Sequence, residues 1–163
     1  MGRAMNVKAS RTYDTNLIKA IITHPELWAT VAEDGHEKEG YYPDLTGACW
    51  VLMEVGGNPI GLYSFNAHNS VTVEIHAHVL PAFRSKYSDK TGKAALRWIY
   101  DNAPEYKKVI AQVPVIYENV KKFTCGFGFQ VEGVNRASYL KGGEILDRWL
   151  LGITRDEIKE VLA

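Results

Sequence analysis

The stretch V-T-V-E-I-H-A-H-V-L-P-A-F-R, from Val71 to Arg84, constrains this chain more than any other. Val71, Val73, Ile75, Ala77 and Val79 alternate with Thr72, Glu74, His76, His78 and Leu80, the period-two pattern of a strand whose two faces meet different surroundings. Pro81 ends the pattern, because proline has no amide to give to a ladder. The segment R-S-K-Y-S-D-K-T-G-K from Arg84 to Lys93 is polar and basic, and it runs into A-A-L-R-W-I-Y, where Ala94, Ala95, Leu96, Trp98 and Ile99 suit a buried helix face. A strand, a basic loop and a helix start in that order make an anion site, since unpaired amides and the helix dipole point at whatever the loop holds.

The elements on either side follow from local chemistry. Residues Met5–Ser10 read as an edge strand, and Asp14 or Thr15 can cap a helix bearing Leu17, Ile18, Ile21 and Ile22. His24-Pro25 stops that helix, and Pro25 suits the first turn of a second one with Leu27, Trp28 and Val31 inward. The charged run Ala32–Gly40 and Tyr41-Tyr42-Pro43 have two readings, a solvated surface loop or an acidic, aromatic lip that attracts a cationic amine. Ala48–Val55 and Ile60–Asn66 are strands joined by G-G-N-P, a hairpin signal because glycine accepts positive φ.

Further on, a helix over Thr91–Asn102 and a strand over Val109–Val113 form a connection long enough for a right-handed crossover, which makes the fourth and fifth strands parallel neighbours. A helix over Val115–Cys125 places Ile116, Val120, Phe123 and Phe127 on one side. Two last strands turn at Lys141-Gly142-Gly143, and T-R-D-E from Thr154 to Glu157 is a capping box for a final short helix. The expectation is one domain over residues 1–163, a mixed α/β sheet with helices on both faces.

Several of these pieces resemble the GNAT N-acetyltransferases. E-I-H-A-H-V-L-P-A-F-R-S-K is similar to the family's fourth strand and phosphate loop, which usually reads E-I-G-Y-x-L-x-P-x-(Y/F)-R-G-K-G. The run from Ala111 to Gly133 has the length of the family's fifth strand and fourth helix and ends in its G-F-x-x-E-G signature. Arg136–Glu157 resembles the closing hairpin of the ribosomal-protein N-terminal acetyltransferase branch, and the altered loop with the E-N-V-K-K-F helix resembles a bacteriophage-encoded offshoot of the family. The resemblance implies an acyl-CoA N-acyltransferase fold whose fourth and fifth strands splay apart. It also implies acetyl-CoA as cosubstrate, with its pantetheine arm on main-chain groups of His78, Val79 and Leu80. The pyrophosphate would then lie in the following loop, against amides and Arg84, Lys86, Ser88, Gly92 and Lys93, with Asn119 contributing from the fourth helix. Within the family pattern (Q/R)-x-x-G-x-(G/A), Arg84 matches the first position, while Tyr87 and Asp89 stand where glycines are usual.

Transfer of an acyl group to an amine needs a base, because an alkylamine with a reference pKa near ~10.4 is mostly protonated at neutral pH. Glu74, His76 and His78 alternate onto one strand face and form the expected proton path, with Glu74 at a position from which some family members supply a base. The bland reading of the same residues is a paired carboxylate and two structural histidines. His-x-His with His68 nearby could share an ion, but a third ligand at recognised spacing is missing, so no metal is assigned. Counting back from Gly128-Phe129, Tyr117, Val120 and Thr124 fall where the family usually has Asn, Ser and Tyr, so the usual acid is missing; Tyr117 and Asn119 could substitute locally, and the other reading of Tyr117 is a packed aromatic with a bonded hydroxyl.

Composition narrows the partners. Lys plus Arg and Asp plus Glu number 19 each, so there is no cationic excess of the kind a general nucleic-acid binder uses. No apolar run is long enough to span a bilayer and no signal segment is evident. The two cysteines, Cys49 and Cys125, do not make a disulfide framework, and a reducing cytoplasm fits. The expected function is acetyl transfer to a primary amine of a protein N-terminus, a lysine or a small molecule, by a chain that could form an oligomer. The alternative is a catalytically inactive GNAT-fold binding or virion-associated phage protein.

Overall fold

The computed structural model describes residues 5–163. Its centre is a seven-stranded sheet in the order β1-β2-β3-β4-β5-β7-β6, with β1 Lys8–Arg11, β2 Cys49–Val55, β3 Asn58–Ala67, β4 Thr72–Val79, β5 Lys108–Pro114, β6 Gln130–Lys141 and β7 Glu144–Thr154. The organising stretch is therefore a central strand, as its alternation requires. Only β4 and β5 run parallel, and the crossover between them is the helix α3, which follows a single 3-10 turn at Pro81–Phe83.

The first two helices, α1 Thr15–Ile22 and α2 Pro25–Val31, cover one face of β2 and β3. Asp14 Oδ1 accepts from the amide of Leu17 at 3.1 Å, which caps α1, and Pro25 opens α2. Ile18, Ile21, Ile22 and Leu27 are buried against Trp50, Leu52 and Leu62. Each such side chain contributes about 1.5–3 kcal/mol on leaving water. The opposite face carries α3 Arg84–Asn102, α4 Glu118–Gly126 and α5 Arg155–Leu162, packed on the larger core around Met53, Val73, Leu96, Val109 and Leu151. Thr154 and Glu157 exchange both bonds of the capping box that starts α5.

Three expectations about element limits are corrected. The first strand is Lys8–Arg11, shifted from Met5–Ser10, because pairing with Val51–Glu54 decides its limits. The basic segment Arg84–Lys93 is helix, not loop: α3 begins at Arg84, since Tyr87, Thr91 and Ala95 recur every fourth residue and all three are buried. The helix expected over Val115–Cys125 is Glu118–Gly126, so Ile116 lies before it; Ile116 and Val120 are exposed, and the apolar contact is that of Phe123 with Phe127, whose rings meet edge to face at 4.9 Å.

The pairing of β4 with β5 stops early. Thr72, Val73 and Glu74 are in register with Lys108, Val109 and Ile110, and no pair follows. Beyond that point β4 stays bonded to β3 as far as Val79, and β5 stays bonded to β7 as far as Pro114. The two strands thus part in the middle of the sheet, each held by its outer neighbour.

Candidate active site

The parting of β4 and β5 opens a cavity of about 470 Å³. Ile75 to Val79 of β4 and Ala111 to Pro114 of β5 form its two edges. Arg84, Ser88, Gly92 and Leu96, one face of α3 at four-residue spacing, close one side with Tyr117, Asn119 and Phe127. Leu27, Thr30 and Val31 of α2 and Tyr139 of β6 close the other. Tyr139, Thr30 and Gln112 had no signal in the sequence, because each reaches the cavity from an element whose placement only the fold decides.

Strand pairing fixes which main-chain groups of β4 are free. The amide of Leu80 donates to the carbonyl of Ile60 at 2.9 Å, so Leu80, His78 and His76 aim their main chains at β3 by the alternation of an antiparallel ladder. The main chains of Ala77 and Val79 face the cleft. The expectation that main-chain groups of His78 and Leu80 are free is corrected: both are engaged with β3, and those of Ala77 and Val79 face the cleft instead. Gly61 lets β3 approach this closely, since a Cβ there would lie 2.7 Å from the His78 carbonyl oxygen and 2.9 Å from the Val79 Cα.

The residues expected to hold the anion divide by helix face. Arg84 lines the cavity, and its Nε donates to the Val79 carbonyl at 3.1 Å. Ser88 lines it too. Gly92 lies in the middle of α3 against the Phe127 ring, where a Cβ would overlap that ring, so it serves close packing and not a phosphate wrap. Lys86 and Lys93 stand outside the cavity: the Lys86 ammonium lies over the Tyr87 ring at 5.7 Å, and Lys93 borders a second hollow with Asp89 and Phe123. Tyr87 and Asp89 do not line the cleft; Tyr87 is buried beside Phe83, and Asp89 borders that second hollow.

Glu74, His76 and His78 share a face, as their spacing requires, but their surroundings differ. The Glu74 carboxylate is buried, with Oε1 2.7 Å from His68 Nε2 and Oε2 3.3 Å from His76 Nε2. Gln112 Nε2 also donates to Oε1 at 3.4 Å, and Asn135 Nδ2 donates to Gln112 Oε1 at 2.9 Å. Glu74 does not border the cavity, whereas His76 does, with 43% of its side chain exposed. Desolvation lowers the His76 pKa, Glu74 opposes that shift, and Arg148 and His68 reinforce it, so the ring is an unprotonated base at neutral pH. His78 is 7% exposed, its ring centroid 6.1 Å from that of Trp50 and 6.5 Å from that of His76. Burial pushes its pKa down to about 3, so the ring is neutral at neutral pH, and its Nδ1 has no hydrogen-bond partner among the described residues.

Tyr117, at the start of α4, borders the cavity, and desolvation raises its pKa, as it does for Tyr139. Both phenols keep their protons at neutral pH and can donate. In the charged run after α2, Glu33 and Asp34 are tied to the main chain, while residues 35–40 are exposed. Asp34 Oδ1 and Oδ2 accept from the amides of Gly142 and Gly143 at 3.0 and 2.7 Å, Glu33 Oε2 accepts from the Leu140 amide at 3.2 Å, and Lys141 Nζ donates to the carbonyls of Ala29 and Ala32 at 2.7 and 2.6 Å. These bonds fasten the β6–β7 turn to the end of α2 beside the cavity. No group of three or more His, Cys, Asp or Glu among the described residues is arranged to hold a metal ion, and no described helix is long and apolar enough to cross a membrane.

A mixed sheet that splits between its parallel strands, with helices on both faces, is the fold of the GNAT acetyltransferases. The spermidine N-acetyltransferase of Vibrio cholerae in complex with CoA and spermine has this fold with a TM-score of 0.79 at 15% identity, over 94% of this chain and 98% of that one. Mutant forms of the spermidine/spermine N-acetyltransferase SpeG from the same organism match with a TM-score of 0.78 at 14% identity, over 95% and 97%. Residues 10–163 match the family described as "Protein of unknown function (DUF2824)", and the chain belongs to that family. No curated protein matches it in sequence.

Proposed function

We propose that this protein is an acetyl-CoA-dependent N-acetyltransferase acting on a primary amine, and that its cleft between β4 and β5 takes the cosubstrate. The observation that carries this reading is the early end of the β4–β5 ladder, which turns main-chain groups of Ala77 and the Val79 amide toward a cavity of about 470 Å³, with the Val79 carbonyl taken by Arg84, in a fold shared with a CoA-binding enzyme. Those groups fit the amides of a pantetheine arm. Arg84, at the start of α3, supplies positive charge at the edge of the cavity.

Acetyl-CoA supplies the acetyl thioester. His76 takes the proton from the incoming ammonium, and Glu74, whose Oε2 lies 3.3 Å from its Nε2, favours a proton on that nitrogen, which leaves Nδ1 as the basic atom. The freed amine then forms the N–C bond as the C–S bond breaks. Tyr117 donates its proton to the leaving thiolate and takes back the second proton that the new amide nitrogen sheds, and His76 passes its own to solvent, so the net products are an amide, CoA and one proton. Glu74 thus positions the base instead of acting as it, and His78 belongs to the wall.

The resemblance to the ribosomal-protein N-terminal acetyltransferases supports a protein α-amine as acceptor and action in the cytoplasm, in a host cell if the chain is phage-encoded. The competing reading, a GNAT-fold binding or virion-associated protein without catalysis, rests on Tyr87 and Asp89 replacing the usual glycines. Both side chains lie off the cavity, which favours the enzyme. Release of free thiol from acetyl-CoA in the presence of amine acceptors tests the proposal. Thiol release that depends on acceptor and is lost in His76→Ala is expected, and tight acetyl-CoA binding without transfer to any amine would favour the binding protein.

A further inference from the structure

Among the described residues the cavity wall contains no carboxylate. Its titratable side chains are Tyr63, His76, His78, Arg84, Tyr117 and Tyr139. Glu33 and Asp34, the acids that follow α2, are engaged with backbone amides of the β6–β7 turn, and Glu74 is engaged with His68 and His76. An acceptor with several ammonium groups would therefore carry charge into an apolar cleft with nothing to balance it, next to Arg84.

Among the described residues, one buried side-chain polar atom in the wall lacks a partner. His78 Nδ1 is buried without a partner, in a ring held between Trp50 and His76. A neutral imidazole accepts at one nitrogen and donates at the other, and a buried polar atom left unpaired is a loss that a ligand's hydrogen bond recovers. Leu27 and Val31 form an apolar wall on the α2 side, with Thr30 between them.

Resting on the acetyltransferase reading of the same cleft, we propose that the acceptor is a monoamine with a neutral hydrogen-bonding group beside its amine, a peptide α-amine followed by an uncharged side chain. His78 Nδ1 pairs with that neighbouring amide, the first side chain packs on Leu27 and Val31, and polyamines are rejected. His78 is then a specificity residue of the acceptor side.

The test uses the full chain with acetyl-CoA and three acceptor probes: a short peptide with a free α-amine and uncharged side chains, spermidine, and n-butylamine. Turnover is followed by thiol release, and peptide binding to the CoA-loaded protein by calorimetry. The peptide should exceed spermidine in kcat/KM by about tenfold or more, and His78→Phe should lower the peptide's kcat/KM about tenfold further than that of n-butylamine, the size of one neutral hydrogen bond. His78→Asn, which restores a polar atom, should recover part of the difference. Spermidine used as well as the peptide, equal losses for peptide and butylamine in His78→Phe, or no peptide binding to CoA-loaded protein would each overturn the proposal while leaving the acetyl-CoA site standing. Failure to bind acetyl-CoA would instead remove the reading on which the proposal rests.

Discussion

His68 and His76 share one carboxylate: their Nε2 atoms approach opposite oxygens of Glu74, at 2.7 and 3.3 Å. His68 sits just after β3 and His76 within β4, so the turn between the two strands brings a second imidazole to the buried acid. A carboxylate held at both oxygens has little freedom to turn, and it fixes the His76 ring that borders the cavity.

Glu74→Gln should therefore act on chemistry more than on binding. The amide keeps the shape but removes the negative charge that stands 3.3 Å from His76 Nε2, so the ring loses the neighbour that favours a proton on that nitrogen. The expected loss in kcat is on the order of a hundredfold, with KM for acetyl-CoA little changed. Steady-state rates at saturating acceptor check this, and an unaltered kcat would remove Glu74 from the mechanism.

His78 gives the fold a pH dependence of defined sign. Its folded pKa is about 3 against an ordinary 6.5, so below pH 6.5 the unfolded chain takes up a proton that the folded chain refuses. Stability is complete above pH 6.5 and falls as the pH drops toward the folded value, by about 1.4 kcal/mol per pH unit from this group. His78→Phe should flatten that slope, and the difference between the two proteins in urea unfolding at pH 7 and pH 5 should be roughly 2 kcal/mol. Parallel pH dependences would show that His78 is charged, or solvated, in the folded protein.

The fastening of the β6–β7 turn to α2 predicts a local effect. The Gly143 amide, then the Gly142 amide, holds the Asp34 carboxyl below the usual carboxylate range. Asp34→Ala removes both acceptors, so amide hydrogen exchange at Gly142 and Gly143 should speed up while α1 and β3 keep their protection. Unchanged exchange at the two glycines would mean that Lys141 and Glu33 hold the turn alone.

Much of this was legible in the residues, and the failures have physical causes. Alternation identified β4, the glycines at Gly56 and Gly57 identified the β2–β3 turn, and the length of the β4-to-β5 connection required their parallel pairing. The start of α3 was missed because its first turns carry mostly polar residues, and the buried stripe of Tyr87, Thr91 and Ala95 has only one large apolar member. The site was legible where one strand supplies it, as with Glu74, His76 and His78. It was not legible where distant elements converge, as with Thr30, Gln112 and Tyr139, or where opposite faces of one helix separate Arg84 from Lys86 and Lys93. Which main-chain groups of β4 are free depended on the partner strand, which the alternation of side chains does not reveal.

The central claim is that the parted strands form an acyl-CoA site despite Tyr87 and Asp89, and the melting midpoint with and without acetyl-CoA tests it most directly. Ligand at a hundred times its dissociation constant adds roughly 2.7 kcal/mol to the folded state, provided the unfolded chain does not bind it. For a domain of this size each kcal/mol moves the midpoint by on the order of 2–4 °C. A rise of several degrees with acetyl-CoA, mostly reproduced by desulfo-CoA, is the predicted result; a midpoint unmoved by millimolar acetyl-CoA, CoA and longer acyl-CoAs would contradict the account.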